Sequence, residues 1–283
     1  MNGVLLAAIS VGICIQQVAK KAYNKKGGGA FTFSAAGAAF SLIIYLLTGG
    51  GSLNFTGEII PYALGFALTY SMALIGSFLA VKYGPLSISS LVMQYSLLIP
   101  TVYGLTVLGE PIKLTLLIGL ALLGISLFLV NKKSKEQGVR LSFKWAICVL
   151  VNFVGNGGCS TIQKVQQLDF NGAYKSEFML IAIAISVVVL FVAALFTEKD
   201  RVGYNLKTGL GWYALCGLAN GGVNFGTMVL ANRMSASLMF PIISAGGIIA
   251  TSLVSVFFYK ERLSAHQLVG LILGIVAIVA MNM

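Results

Sequence analysis

Residues 178–196 read FMLIAIAISVVVLFVAALF, a run of nineteen residues without a charged side chain. A helix of about 20 residues crosses the hydrocarbon core of a bilayer. Comparable apolar stretches recur along the 283-residue chain, of which 58% is apolar and only 10% is charged. Soluble domains average about 45–50% apolar and about 25% charged residues. The sequence therefore indicates a polytopic helical membrane protein.

Clusters of glycine, proline and charged residues divide the chain into ten apolar segments. We predict an all-α fold of ten transmembrane helices, over residues 3–22, 30–48, 60–82, 86–108, 113–131, 143–165, 177–196, 209–231, 235–258 and 265–282. One longer charged connector, at 132–144, lies near the middle of the chain. It separates a first five-helix repeat, 1–131, from a second, 145–283.

An internal repeat supports this division of the chain. A shift of 151 residues places Tyr62-Ala63-Leu64 on Tyr213-Ala214-Leu215 and Glu110 on Glu261. Because each half holds an odd number of helices, the second half would enter the membrane from the opposite side. This is the inverted-repeat plan of secondary transporters, in which the substrate site lies near the midplane between the repeats.

The charged and metal-binding residue types exclude several other functions. Lys and Arg number 19 against 8 Asp and Glu, a net charge of +11. These basic residues lie between apolar segments, where they signal topology rather than nucleic-acid binding. One histidine and four dispersed cysteines show no metal-ligand spacing or disulfide framework. We therefore expect no metal, no cofactor and no nucleic-acid partner.

Matching features at the ends of the fourth and ninth helices point to a family. Each helix ends in a glutamate before a short turn, in Leu108-Gly109-Glu110-Pro111 and in Phe258-Tyr259-Lys260-Glu261-Arg262. Each contains a proline, Pro100 or Pro241, and the ninth begins with Ser235-Ala236-Ser237. The chain resembles the drug/metabolite transporter (DMT) superfamily, and within it the EamA-like branch.

The resemblance implies a carrier of small metabolites that is a monomer or a weak dimer. It also implies that the first four helices of each half surround a central cavity, while helices five and ten pack at the periphery. Gly270 and Gly274 form a small-xxx-small face on helix ten. This face is the predicted dimer contact.

The distribution of basic residues predicts the orientation in the membrane. Loops on the side of the two termini hold four Lys and Arg, and the opposite loops hold fifteen. The positive-inside rule then places both termini outside, whereas members of the resembled family have both termini inside. We expect an integral protein of a bacterial cytoplasmic membrane, in contact with lipid.

Neutral polar residues occupy the predicted membrane interior. Asn152 with Asn156, and Asn220 with Asn224, are spaced i,i+4, so each pair shares one helical face. Amides that face lipid are unsatisfied, so these faces should point inward, where they either join helices or bind substrate. The full set of candidate substrate-binding residues is Tyr70, Gln94, Tyr95, Asn152, Asn156, Asn220, Asn224 and Ser244.

A second set of residues is predicted to have gating or structural roles. It comprises Gln17, Gln163, Pro100, Pro241, Glu110 and Glu261. We place no ionised residue at mid-membrane, and the two glutamates lie at helix ends, as anchors between helices or as gating groups. Ser244, Gly246 and Gly247, which follow Pro241, indicate either a break or a kink in helix nine.

These features favour a secondary active transporter of a small polar solute, neutral or zwitterionic, that works by alternating access. Two alternatives stay open, an exporter of cationic drugs or amines and a facilitative exchanger without proton coupling. The chain has no H-E-x-x-H or G-x-x-x-x-G-K-[ST] motif, so a membrane-embedded enzyme is less favoured. A channel is also less favoured, because an inverted repeat suits a carrier.

Overall fold

The computed structural model describes residues 2–49, 53–84, 86–111, 114–136, 142–259 and 265–281. Within these ranges the chain is helical and contains no strand, which confirms the all-α prediction. The α-helices are α1 (Asn2–Asn24), α2 (Ala30–Thr48), α3 (Ile60–Tyr83), α4 (Leu86–Gln94), α5 (Leu98–Thr106), α6 (Leu114–Glu136), α7 (Phe143–Asp169), α8 (Lys175–Thr197), α9 (Val202–Ala231), α10 (Ala236–Tyr259) and α11 (Ala265–Met281).

The fourth predicted segment is not one continuous helix. It consists of α4, a 3₁₀ turn at Tyr95–Leu97, and α5. Pro100 follows the turn and has no N–H, so it cannot bond the carbonyl of Ser96 as a regular helix requires. Of the two alternatives for helix nine, the structure does not show a break, because α10 continues through Pro241 as an α-helix; a kink at Pro241 stays a prediction.

Among the described residues, seven stretches of helix are long and apolar enough to cross a membrane. They are Asn2–Asn24, Ala30–Thr48, Gly57–Tyr83, Phe143–Asp169, Lys175–Thr197, Val202–Ala231 and Ala236–Val254. The arrangement of ten spans in two inverted repeats stays a prediction. The connector at 132–144 lies partly outside the described residues, because 137–141 are not among them.

The two halves of the chain, α1–α6 and α7–α11, pack mainly against each other. The most extensive helix contacts join α3 to α7, α6 to α11, α2 to α9, α2 to α8 and α1 to α9. We match α1, α2 and α3 with α7, α8 and α9, the broken helix α4–α5 with α10, and α6 with α11. The α3–α7 contact then corresponds to α9–α1, and α3–α8 corresponds to α9–α2. The helices are therefore interleaved rather than gathered into two separate bundles.

Glycines allow α3 and α7 to approach closely. A Cβ atom on Gly155 would lie 2.5 Å from the backbone nitrogen of Ala73 and 2.6 Å from the carbonyl oxygen of Thr69. A Cβ on Gly76 would lie 2.6 Å from the backbone nitrogen of Asn152. Such small-residue contacts let the backbones of membrane helices pack together.

The small-xxx-small face of α11 packs inside the chain. Gly270 and Gly274 are buried, and the hydroxyl of Ser126 on α6 donates to the carbonyl of Gly270 at 2.5 Å. A Cβ on Gly274 would lie 3.1 Å from the same hydroxyl oxygen. The face proposed as a dimer contact is therefore covered by α6 of the same chain.

We expect Gly155→Ala to lower the thermal stability of the purified protein in detergent. The added methyl group meets backbone atoms that cannot rotate away, and such overpacking costs about 1–3 kcal/mol. Gly211→Ala is the matched control, because Gly211 is exposed on α9 and nothing lies within 4 Å of its added Cβ. Equal melting temperatures for both variants would contradict the close α3–α7 contact.

Candidate functional site

A polar cavity of about 110 Å³ lies between the two halves of the chain. A water molecule needs roughly 10–15 Å³ of such space, so the cavity accommodates several waters or one small solute. Residues from α1, α3, α4, α7, α9 and α10 line it. Side-chain amides are the commonest polar groups in its wall, and they belong to Gln16, Gln17, Gln94, Asn152, Asn156, Gln163, Asn220 and Asn224.

A chain of hydrogen bonds joins four of the helices around this cavity. The Tyr70 hydroxyl donates to Oδ1 of Asn220, which also accepts from Nδ2 of Asn224 at 3.1 Å. Oδ1 of Asn224 accepts from Nε2 of Gln163 at 2.9 Å. Nδ2 of Asn220 donates to Oε1 of Gln16 at 2.8 Å. Helices α1, α3, α7 and α9 are thus connected through one amide network.

Three amide atoms in the cavity wall have no hydrogen-bond partner from the described residues. They are Oε1 of Gln17, Nε2 of Gln94 and Oδ1 of Asn152, and each is buried. A buried polar group without a partner costs about 1–3 kcal/mol. A polar solute that reaches the cavity can satisfy two acceptors and one donor that the protein leaves available.

The cavity wall also contains Lys20, which the topology count assigns to the loops. Lys20 lies near the end of α1 and is 5% exposed. Its Nζ donates a hydrogen bond to the Ser77 hydroxyl at 2.8 Å. Lys20 is therefore a titratable side chain buried near the end of α1, and the expectation of no ionised residue at mid-membrane stays a prediction. Gln16, Gln17 and Lys20 are spaced three and four apart, so they share one face of α1. Because Gln17 was already a candidate polar residue, this spacing in the sequence could have predicted that Lys20 lies on the same inward face.

The structure brings most of the predicted substrate-binding residues together. Tyr70, Gln94 and the four asparagines all line the cavity, as do Gln17 and Gln163. Each i,i+4 asparagine pair therefore faces inward as predicted. Their role in binding substrate stays a prediction.

Tyr95 and Ser244 are not among the residues that line this cavity, and their predicted role in binding substrate stays a prediction. Tyr95 is one residue beyond Gln94, so it points to a different side of the chain and packs against a cluster with Leu116 and Ala245. The hydroxyl of Ser244 is buried and donates to the carbonyl oxygen of Gln94 at 3.1 Å. Ser244 thus fixes the backbone that carries Gln94.

Glu110, predicted to have a structural or gating role, ties two helix ends together. Its carboxylate accepts from the backbone N–H of Ala236 at 2.6 Å and of Ser237 at 2.8 Å, at the start of α10. A carboxylate is favourable at a helix N-terminus. Lys164 lies 4.0 Å from Glu110 and donates to the carbonyl of Ala231, the last residue of α9, at 2.8 Å. This geometry is that of an anchor between α9 and α10.

The other residues of the predicted gating set have different positions. Pro100 is buried in α5 and Pro241 is buried in α10, and neither is among the residues that line the cavity. Glu261 lies outside the described residues.

The sequence and the fold are similar to those of known proteins. Residues 144–283 match the model of the EamA-like transporter family. No curated protein sequence matches the chain. A solved structure described only as "Crystal structure of protein" superposes with a TM-score of 0.76, over 99% of this chain and 98% of that chain, at 13% sequence identity. At that identity the similarity shows a common fold and nothing about function.

We expect Glu110→Ala to reduce the free energy of unfolding by about 1–2 kcal/mol, because the start of α10 loses two acceptors and Lys164 loses its nearby anion. Glu58→Ala is the control, since Glu58 is an exposed acid in the turn before α3. Thermal unfolding in detergent measures the effect. Loss of transport at an unchanged melting temperature would instead assign Glu110 to gating.

Proposed function

The second half of the chain belongs to the EamA-like transporter family, part of the drug/metabolite transporter superfamily, and from this premise we propose a secondary transporter of a small polar solute. The protein is an integral membrane protein with apolar helices long enough to cross a bilayer. Its central cavity is the proposed substrate site, and alternating access is the proposed mechanism.

The observation that carries this proposal is the composition of the cavity wall. Helices α1, α3 and α4 of the first half face α7, α9 and α10 of the second, and buried amide atoms without partners lie on both sides. A movement of one half relative to the other would therefore change the access to the site. Transporters with inverted repeats bind substrate at such a position.

The helix contacts support two related halves. The α3–α7 contact has a counterpart in α9–α1, and α3–α8 has one in α9–α2. The contacts α2–α8 and α6–α11 each join a helix to its own counterpart. An inverted repeat with a pseudo-two-fold axis would produce this pattern.

The charges in the cavity wall bear on two alternatives, the export of cationic drugs or amines and facilitative exchange without proton coupling. The described residues that line it include Lys20 but no Asp or Glu. A wall with a cation and no anion repels cationic drugs and amines, so it disfavours their export. It also offers no carboxylate to carry a proton, which favours exchange or facilitated diffusion over proton coupling through a cavity acid.

We expect Asn220→Ala and Gln94→Ala each to reduce flux by at least about tenfold while the purified variants stay folded. Asn220 bonds Tyr70, Gln16 and Asn224, and Nε2 of Gln94 is a donor without a partner among the described residues. Uptake into proteoliposomes is measured for the solute that a thermal-shift screen of amino acids, nucleobases, sugars and amines selects, because specific ligands stabilise the folded state.

Asn232→Ala is the matched control for these variants, because Asn232 is exposed at the end of α9. A carrier will show saturable flux and trans-stimulation, whereas a channel will show neither. Wild-type flux in both cavity variants would show that these amides only join helices.

We further propose that both termini lie outside the membrane of a bacterial cell. Lys20 and Lys164 are buried, so neither counts toward the topology signal, and the remaining loop Lys and Arg number fourteen on one side against three on the side of the termini. A reporter that is active only in the periplasm, fused after residue 283, should therefore be active. Activity of a cytoplasmic reporter at the same position would reverse the orientation.

A further inference from the structure

Lys20 belongs to the walls of two adjoining cavities. It lines the central cavity of about 110 Å³ and a smaller pocket of about 10 Å³ that opens toward α2. Tyr70, Leu74 and Asn220 line both spaces as well. The Lys20 side-chain amine is therefore part of the same wall as the amide network. The exposed fraction of Lys20 is 5%.

A buried ammonium needs a compensating group. The transfer of an unpaired charge out of water is strongly unfavourable, and buried charges in proteins are normally paired with an opposite charge. Neither cavity is lined by an Asp or Glu from the described part of the chain. The protein surrounds Lys20 with the hydroxyl of Ser77 and with neutral side chains, which solvate a cation only partly.

The second buried lysine provides a comparison within the same molecule. Lys164 donates to two backbone carbonyls, at 2.8 and 2.7 Å, and lies 4.0 Å from a Glu110 oxygen. Those contacts account for its burial as a structural link. Lys20 differs because it lines the cavity and has no carboxylate there.

We propose that the transported solute carries one carboxylate group and that the Lys20 ammonium binds it. This inference rests on the proposed function, because it uses the central cavity as the substrate site. A single ammonium balances a single negative charge. No arginine is among the described lining residues, and arginine provides the bidentate geometry suited to phosphate. A monocarboxylate therefore fits this wall better than a phosphate ester.

The unpartnered amides complete the recognition of such a solute. With the carboxylate at Lys20, the remainder of the molecule faces Oε1 of Gln17 and Oδ1 of Asn152, two acceptors, and Nε2 of Gln94, a donor. An amino or hydroxyl group on the solute can donate to the two acceptors. Hydroxy acids and zwitterionic α-amino acids have this combination of groups.

Matched pairs of compounds test the charge requirement directly. The full-length protein in detergent is screened by thermal shift against small hydroxy acids and α-amino acids, each beside its primary amide, which has nearly the same shape but lacks the negative charge. We expect at least one acid to raise the melting temperature while its amide does not. Lys20→Met should weaken the binding of that acid at least about tenfold, because it removes a charged hydrogen bond.

Three further variants separate binding from a structural role. Lys20→Arg keeps the charge and should retain the preference for acid over amide. Ser77→Ala removes the only side-chain hydrogen bond to Nζ shown in the structure, so a purely structural Lys20 would make this variant resemble Lys20→Met. Lys82→Met is the control, because Lys82 is an exposed lysine at the end of α3, and it should bind like the wild type.

The outcomes separate this inference from the proposed function. Three results of the thermal-shift screen overturn the carboxylate assignment. They are equal binding of acids and amides, binding of amides alone, and no binding of any acid. Retained acid preference in Lys20→Met also overturns it. Flux of uncharged solutes in proteoliposomes would still support a carrier in each case. Acid binding that depends on Lys20, with no flux of the bound acid, would support the site and contradict the transporter.

Discussion

The hydrogen-bond chain from Tyr70 through Asn220 and Asn224 to Gln163 joins α3, α9 and α7 at the centre of the molecule. Lipid cannot replace these bonds, so each amide must face the protein interior. That requirement fixes the rotation of all three helices about their axes. Exposed apolar side chains such as Leu64, Leu150 and Leu215 consequently occupy the outward faces of the same helices. The cavity exists because the polar faces meet without filling the space between them.

Close contact of the backbones makes this arrangement geometrically feasible. Gly76 and Gly155 bring α3 against α7, and a Cβ on Gly217 would overlap the carbonyl oxygen of Gly37 where α9 meets α2. Large residues at these positions would separate the helices and lengthen the bonds between their amides. The glycines therefore act on the site indirectly, since they set the distances across which Asn and Gln side chains must reach.

The sequence predicts much of this site because helical periodicity places residues on faces. The i,i+4 asparagine pairs needed only the 3.6-residue repeat and the exclusion of amides from lipid. Tyr95 does not line the cavity beside Gln94 because adjacent helical residues point about 100° apart, so proximity in sequence does not imply a common face. Lys20 was missed because lysines near a helix end normally extend to the interface. Its burial depends on where α3 and α9 pack, which the α1 sequence does not contain.

Lys20, the one cation among the described residues of the cavity wall, bears on how the proposed carrier can both bind and release its solute. A second lysine or arginine would hold an anion more tightly, but it would also add another buried charge to the substrate-free protein and repel Lys20. A neutral wall would avoid that penalty and would discriminate poorly between an acid and its amide. A wall with one ammonium, beside amides already ordered by mutual hydrogen bonds, lies between a wall with two cations and a neutral wall. In the proposed mechanism, affinity comes from one charge and a few amide contacts, and both are lost when the two halves move apart.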